Sequence, residues 1–124
     1  MSDITPATGE QERAALALVA RFGAAWAAHD LDAALALVTE DCVFDNTDPA
    51  PDGARFVGRE EIRRAWAPIF ADASTGFDPE ETFAAGDRVI QLWRYSWSDG
   101  HVRGVDVIRV RDGMIAEKLS YVKG

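Results

Sequence analysis

Apolar residues recur at helical spacing from Ala15 through Leu18, Val19, Phe22, Ala25 and Trp26, the stripe of a helix with one buried face. Thr8-Gly-Glu-Gln11 stands ahead of that stripe and reads as a capping box opening the helix. His29-Asp30 breaks it, and Asp30 is placed to cap a second helix through Leu31, Leu35 and Val38. Val43 to Asn46 reads as a short strand. Asp48-Pro-Ala-Pro-Asp-Gly53 reads as a loop, because each proline removes a ladder donor. After Gly58 a third helix is expected, with Glu60 and Glu61 in the first turn, where acidic groups suit the helix dipole. Its stripe is Ile62, Ala65, Trp66, Ile69 and Phe70, and Pro68 is expected to bend or end it early.

The remaining pattern is that of strands: Phe77 to Ala84, Arg88 to Trp97, His101 to Val110 and Met114 to Val122. Gly86-Asp87, Asp99-Gly100 and Asp112-Gly113 separate them as hairpin turns. Three helices followed by an antiparallel meander make an α+β domain.

Alternation gives this sheet two faces. If both Asp-Gly turns are three-residue loops with a left-handed glycine, Leu92, Asp106 and Lys118 lie side by side. Arg94, Gly104 and Ser120 form the next row on that face. Trp93, Val105 and Leu119 then lie on the other, beside Tyr95 and Tyr121. Two-residue loops would slip the register and flip side chains across the sheet. Two readings of the faces follow. In one, the aromatic face is the core and the charges are a solvated cross-strand network. In the other, the helices cover the charged face and leave a polar pocket. The aromatic face then needs a second subunit, since so apolar a patch is rarely left in water.

With 124 residues the chain is expected to form a single domain over 1–124, with residues 1–8 as a flexible N-terminus. The formal charge is −8, so it repels phosphate backbones, and nucleic acid is not an expected partner. No apolar run is long enough to span a bilayer, so no membrane partner is expected. Met1-Ser-Asp-Ile-Thr-Pro lacks the basic flank and apolar stretch of a signal peptide. The one cysteine, Cys42, precedes Val43-Phe44 and reads as a small core residue. Together these point to a cytoplasmic protein.

Much chemistry is excluded. His29 and His101 are far apart and lack partners at ligand spacing, so no metal is expected. Asp45-Asn-Thr-Asp48 lacks the glycine and closing glutamate of a calcium loop. There is no glycine-rich phosphate loop and no Gly-x-Ser-x-Gly. Acid–base work by carboxylates, or binding without chemistry, is what remains, and no cofactor is implied.

Four stretches carry a family resemblance: Arg21-Phe-Gly-Ala-Ala-Trp-Ala-Ala-His-Asp-Leu-Asp32, Glu40-Asp-Cys-Val-Phe-Asp-Asn46, Gly58-Arg-Glu-Glu-Ile62 and Gly104-Val-Asp-Val-Ile-Arg-Val-Arg-Asp-Gly-Met-Ile115. With the order of elements, they resemble the nuclear transport factor 2-like, or SnoaL-like, superfamily from about residue 10 to the end. Ketosteroid isomerase, limonene-1,2-epoxide hydrolase and the polyketide cyclases belong to it. The resemblance implies a curved sheet wrapped round helices as a cystatin-like roll, a cone-shaped pocket, and often a dimer across the outer sheet face.

Against ketosteroid isomerase, Asp106 matches the oxyanion-hole acid, but Phe22 stands where its tyrosine should be and Asn46 replaces its base. Against the epoxide hydrolase, Arg94 and Asn46 match, while Ser96 and Ser120 replace two aspartates and Phe44 a tyrosine. The cyclase base also falls near Ser120. Each of these mechanisms lacks an essential group here.

Asp106 is the first candidate for chemistry. Lys118 opposite and Arg94 diagonal should hold it ionised as a base or an ion-pair anchor; a structural ion pair is the plainer reading. Arg94 would orient Asp106 or bind a substrate oxygen. The alternative for Lys118 is to snorkel to the pocket rim. Asn46 would hold a carbonyl or water, or merely bond its own backbone at a strand end. Phe22, Trp26, Phe44, Trp66 and Phe70 read as pocket wall or core, with Leu92, Ser96, Lys118 and Ser120 as further ligand contacts. The expected partner is a small, largely apolar, oxygen-bearing molecule. It is either acted on by Asp106 with Arg94 and Asn46, in an isomerase, cyclase or hydrolase reaction, or held without catalysis. A homodimer is expected through Trp93, Tyr95, Val105, Val107, Leu119 and Tyr121.

Overall fold

The computed structural model describes residues 9–124. The capping role read for Thr8, and the character read for residues 1–8, lie outside them. Helix α1 spans Gly9–Ala27 and buries Ala15, Leu18, Val19, Phe22 and Ala25, the stripe seen in the sequence. It ends where His29 adopts a left-handed backbone, φ 57°. The Asp30 N–H then bonds the Ala25 carbonyl and the His29 N–H the Trp26 carbonyl, the paired closure of a Schellman motif with histidine where glycine is usual. The His29 ring nitrogens lie 3.0 and 2.9 Å from the carbonyl oxygens of Phe70 and Thr75, tying this corner to the end of the third helix.

The Asp30 side chain caps α2 (Leu31–Leu35) by accepting from the Ala33 N–H. This helix stops short of Val38, because β-branched Val38 and Thr39 favour extended backbone and already belong to β1 (Val38–Asp45). A short β2 (Arg55–Val57), unpredicted, pairs with β1. Helix α3 (Arg59–Ala71) buries Ile62, Trp66 and Phe70 and contains Pro68 without ending there. The proline removes one intrahelical bond only a turn before the natural stop.

Strands β3 (Gly76–Ala85), β4 (Arg88–Trp97), β5 (Gly100–Arg111) and β6 (Met114–Val122) form the expected meander. Among the described residues the sheet has six strands in the order β2-β1-β6-β5-β4-β3. It is mixed rather than wholly antiparallel, since β1 runs parallel to β6. The helices pack in its curve, and the core gathers Val19, Phe22, Phe44, Trp66, Val89, Ile108 and Ile115.

The register corrects the loop lengths. Trp97 pairs with Gly100, so the β4–β5 turn is the two residues Ser98-Asp99. Gln91 therefore faces Asp106, Leu92 faces Val105 and Trp93 faces Gly104. The odd shift turns β4 over. Gln91, Trp93 and Tyr95 lie on the concave face with Asp106, while Ile90, Leu92, Arg94 and Ser96 lie on the convex one. The β5–β6 turn is also two residues, with Asp112 and Gly113 both left-handed at φ 54° and 74°, as a type I′ turn requires. Here an irregularity between Arg109 and Val110 admits an extra residue on β6, and Asp106 pairs with Ser120. The bulge restores the parity, so Asp106, Lys118 and Ser120 share a face as expected, with Ser120 rather than Lys118 opposite Asp106.

Candidate functional site

Alternation places one polar row straight across four strands: Thr82 beside Gln91, Gln91 beside Asp106, Asp106 beside Ser120. The Gln91 side-chain amide donates to Thr82 Oγ1 at 3.1 Å. Asp106 is 2% exposed and Lys118 7%, burial that a charge tolerates only when paired and hydrogen-bonded. Both conditions hold. Ser120 Oγ–H donates to Asp106 Oδ1 at 2.7 Å. Lys118 Nζ donates to Ser120 Oγ at 2.9 Å and lies 3.3 Å from Asp106 Oδ2. The ammonium also sits 5.1 Å from the Trp26 ring centroid and 4.8 Å from that of Phe44, within cation–π range.

This group lies against a cavity of about 350 Å³, the size range of small-molecule sites. Phe22, Trp26, Phe44, Ala65, Ile69, Phe77, Trp93, Tyr95, Val102 and Val122 give it apolar walls, and Asn46, Thr47 and Asp48 contribute polar ones. Trp93 fits because Gly104 lies opposite. A Cβ there would come 2.6 Å from Trp93 Cζ2 and would also meet the Tyr121 carbonyl oxygen.

The residues singled out from sequence divide into three sets. Asp106, Asn46, Phe22, Trp26, Phe44, Lys118 and Ser120 line the cavity. Asn46 also matches the plainer reading made of it: its side-chain oxygen accepts from the Thr47 N–H at 2.8 Å. Trp66 and Phe70 stand behind the wall as core. Trp66 packs 5.4 Å from Phe44 and 5.7 Å from Phe22, and Phe70 packs 4.5 Å from Trp26. Arg94, Leu92 and Ser96 are on the convex face, away from the cavity. Arg94 is exposed and sits opposite Arg103, so it neither orients Asp106 nor reaches a ligand beside it. The match of Arg94 and Ser96 to the epoxide hydrolase site is lost with them.

Gln91, Trp93 and Tyr95 were missed through one misjudged turn, and the signal was their two-residue spacing along β4. Phe77 of β3 and Val102 of β5 were missed as well, although Val102 shares the face of Asp106 by the alternation of β5 itself. Among the described residues no group of three or more His, Cys, Asp or Glu side chains comes together to hold a metal, and no helix is long and apolar enough to cross a membrane.

The model of the SnoaL-like domain matches residues 19–118. The chain belongs to this SnoaL-like family. Among solved structures, an NTF2-like protein of unknown function from Mesorhizobium loti is 44% identical over 94% of this chain and 97% of that one, with a TM-score of 0.85. A computationally designed 17-OHP binder is 27% identical, covering 89% of this SnoaL-like chain and 91% of its own, at a TM-score of 0.75. A protein from Sinorhizobium meliloti proposed to be a polyketide cyclase is 24% identical over 85% of this chain and 94% of its own, at 0.74, a likeness of fold alone. A search of curated proteins finds no significant match.

Proposed function

We propose that this SnoaL-like domain binds a small, largely apolar, oxygen-bearing molecule, with its polar end against Asp106, Ser120 and Lys118. The observation that carries the reading is a mutually neutralised, buried ion pair beside an apolar-walled cavity of about 350 Å³. A cavity whose charged pair cancels favours a neutral ligand, because an ionic one would bring an uncompensated charge out of water. An ammonium has three N–H donors; that of Lys118 donates to Ser120 and lies in ion-pair range of Asp106. Its remaining donor capacity would meet a ligand oxygen, in the role sequence reading gave to Arg94. The designed 17-OHP binder supports the reading, since a relative of the same fold was made to hold a ligand.

Asp106 is the group for acid–base chemistry on such a ligand, as a base or in orienting a water, in an isomerase, cyclase or hydrolase reaction. The alternative is binding without catalysis, favoured by the engagement of both carboxylate oxygens with Ser120 and Lys118. Native mass spectrometry of the purified protein tests the shared part. A bound small molecule is expected, and Ala65→Trp, which fills the cavity, should abolish it in a folded protein. Binding unchanged by Ala65→Trp would place the ligand elsewhere and defeat the proposal.

The convex face completes it. Ile90, Val107 and Leu119 align across three strands, and Leu92, Val105 and Tyr121 form the next row. Trp93 and Tyr95 have left this patch, but it remains contiguous and apolar, rimmed by Arg94, Arg103, Arg109 and Glu117. A two-fold pairing of two copies buries such a patch against itself.

A further inference from the structure

The choice of lysine at position 118 is unusual for this chain. Of its 13 basic residues only Lys118 and Lys123 are lysines. In the other ion pairs among the described residues, such as Arg55–Asp45, Arg103–Glu80 and Arg111–Asp41, the cation is an arginine at the surface. The buried pair at the cavity uses lysine. A counter-charge alone does not need it, whereas a nucleophile does, since an amine can give up a proton and a guanidinium does not.

We propose that Lys118 captures the carbonyl carbon of an aldehyde or ketone ligand as an imine, with Asp106 as the proton carrier. This rests on the pocket reading given above. Asp106 Oδ2, 3.3 Å from Nζ, takes a proton from the ammonium, and the amine lone pair attacks the carbonyl carbon. The carbonyl π electrons move to oxygen, which takes the proton back from Asp106. Asp106 then removes a second proton from nitrogen and delivers it to the hydroxyl. That hydroxyl leaves as water as the nitrogen lone pair closes the C=N bond. The ammonium–carboxylate pair and the carbonyl have become an iminium–carboxylate pair and one water, with atoms and charge balanced.

The surroundings fit the product as well as the reactant. The same carboxylate and the same faces of Trp26 and Phe44 that lie beside the ammonium would lie beside the iminium, so the reaction leaves no new charge unpartnered. The apolar walls hold the carbonyl's substituents and limit the water that would reverse the step.

The test uses the full chain, 6-methoxy-2-naphthaldehyde and sodium cyanoborohydride at neutral pH, read by intact mass and peptide mapping. Exposed Lys123 is an internal reference. Reductive labelling at Lys118 should run at least tenfold faster than at Lys123. Lys118→Arg should lose that adduct while Lys123 still labels, and Asp106→Asn, if folded by circular dichroism, should slow Lys118 at least tenfold. Labelling of Lys118 no faster than Lys123 overturns the proposal, and faster labelling in Asp106→Asn removes Asp106 as the proton carrier. Should Asp106→Asn fail to fold, the comparison of the two lysines in the unaltered chain decides the nucleophile. The matching alcohol, 6-methoxy-2-naphthalenemethanol, followed by quenching of tryptophan fluorescence, separates the two readings. Alcohol binding without aldehyde trapping defeats the imine and leaves the pocket, while neither binding nor trapping defeats both.

Discussion

The two faces of one sheet, separated by a single residue along each strand, solve the problem of charge in opposite ways. On the concave side Asp106 and Lys118 are almost wholly withdrawn from water and are held by each other, Ser120 and two aromatic rings. On the convex side Arg94 and Arg103 stand opposite one another, and Arg103 pairs with Glu80 at 2.8 Å with half its side chain exposed. Solvent screens the convex charges, so even two facing arginines are tolerated. The concave pair carries the cost of desolvation, and its geometry must therefore be complete. The lesson is that the number of charges on a strand says little. What matters is which of two alternate positions each occupies, and turn length sets that.

The largest effect expected is from Asp106→Ala. Leaving Lys118 buried without its counter-charge should cost ~3–5 kcal/mol, read by urea denaturation. A loss near zero would erase the contrast between the faces. Gly104→Ala comes next. Its Cβ would meet the Tyr121 carbonyl and the Trp93 ring, and such overpacking should cost ~1–3 kcal/mol and displace Trp93, visible as a change in tryptophan emission. An unchanged protein would mean that Trp93 does not rest on Gly104.

Leu92→Glu then probes the convex face. On a pairing surface it should give a folded, more monomeric protein in sedimentation, whereas unfolding would mean that Leu92 is core. Arg94→Ala should change stability by no more than ~0.5 kcal/mol and leave ligand binding intact. A large loss of either would return Arg94 to the site.

The smallest effect concerns Cys42, buried on β1. Burial pushes its thiol from 9.0 up to about 12. The folded protein thus keeps a proton that the unfolded chain releases, and stability should fall as pH rises above about 9. Iodoacetamide at pH 8 should label Cys42 only after unfolding. Ready labelling of the native protein would show that this side of the sheet opens to water.

Much of this was legible along the chain. The stripes of the two long helices, the Asp30 cap and the four meander strands depend on local spacing, which a sequence displays directly, whereas Asp106 shares a face with Lys118 and Ser120 only because the β6 bulge offsets a turn one residue shorter than expected. Family resemblance supplied the roll and the pocket. Other features depended on contacts between distant segments. The Val38-Thr39 stretch could extend a helix or start a strand until Ile115 of β6 was there to pair with it. Three residues at 55–57 became a strand because β1 lay alongside.

What the sequence by itself determined is therefore the inventory: the three helices, the four meander strands and the apolar residues that face the core. The tertiary structure decided which side of β4 faces inward, and with it that Trp93 and Gln91, not Arg94 and Leu92, border the cavity. The physical reason lies in the pleat. Side chains alternate with a period of two, so one residue more or less at the Ser98-Asp99 turn inverts a whole strand. Asp99-Gly100 is compatible with either loop length. The choice falls to the packing of the entire sheet against the helices, which buries Trp93 and leaves the Arg94 guanidinium in water.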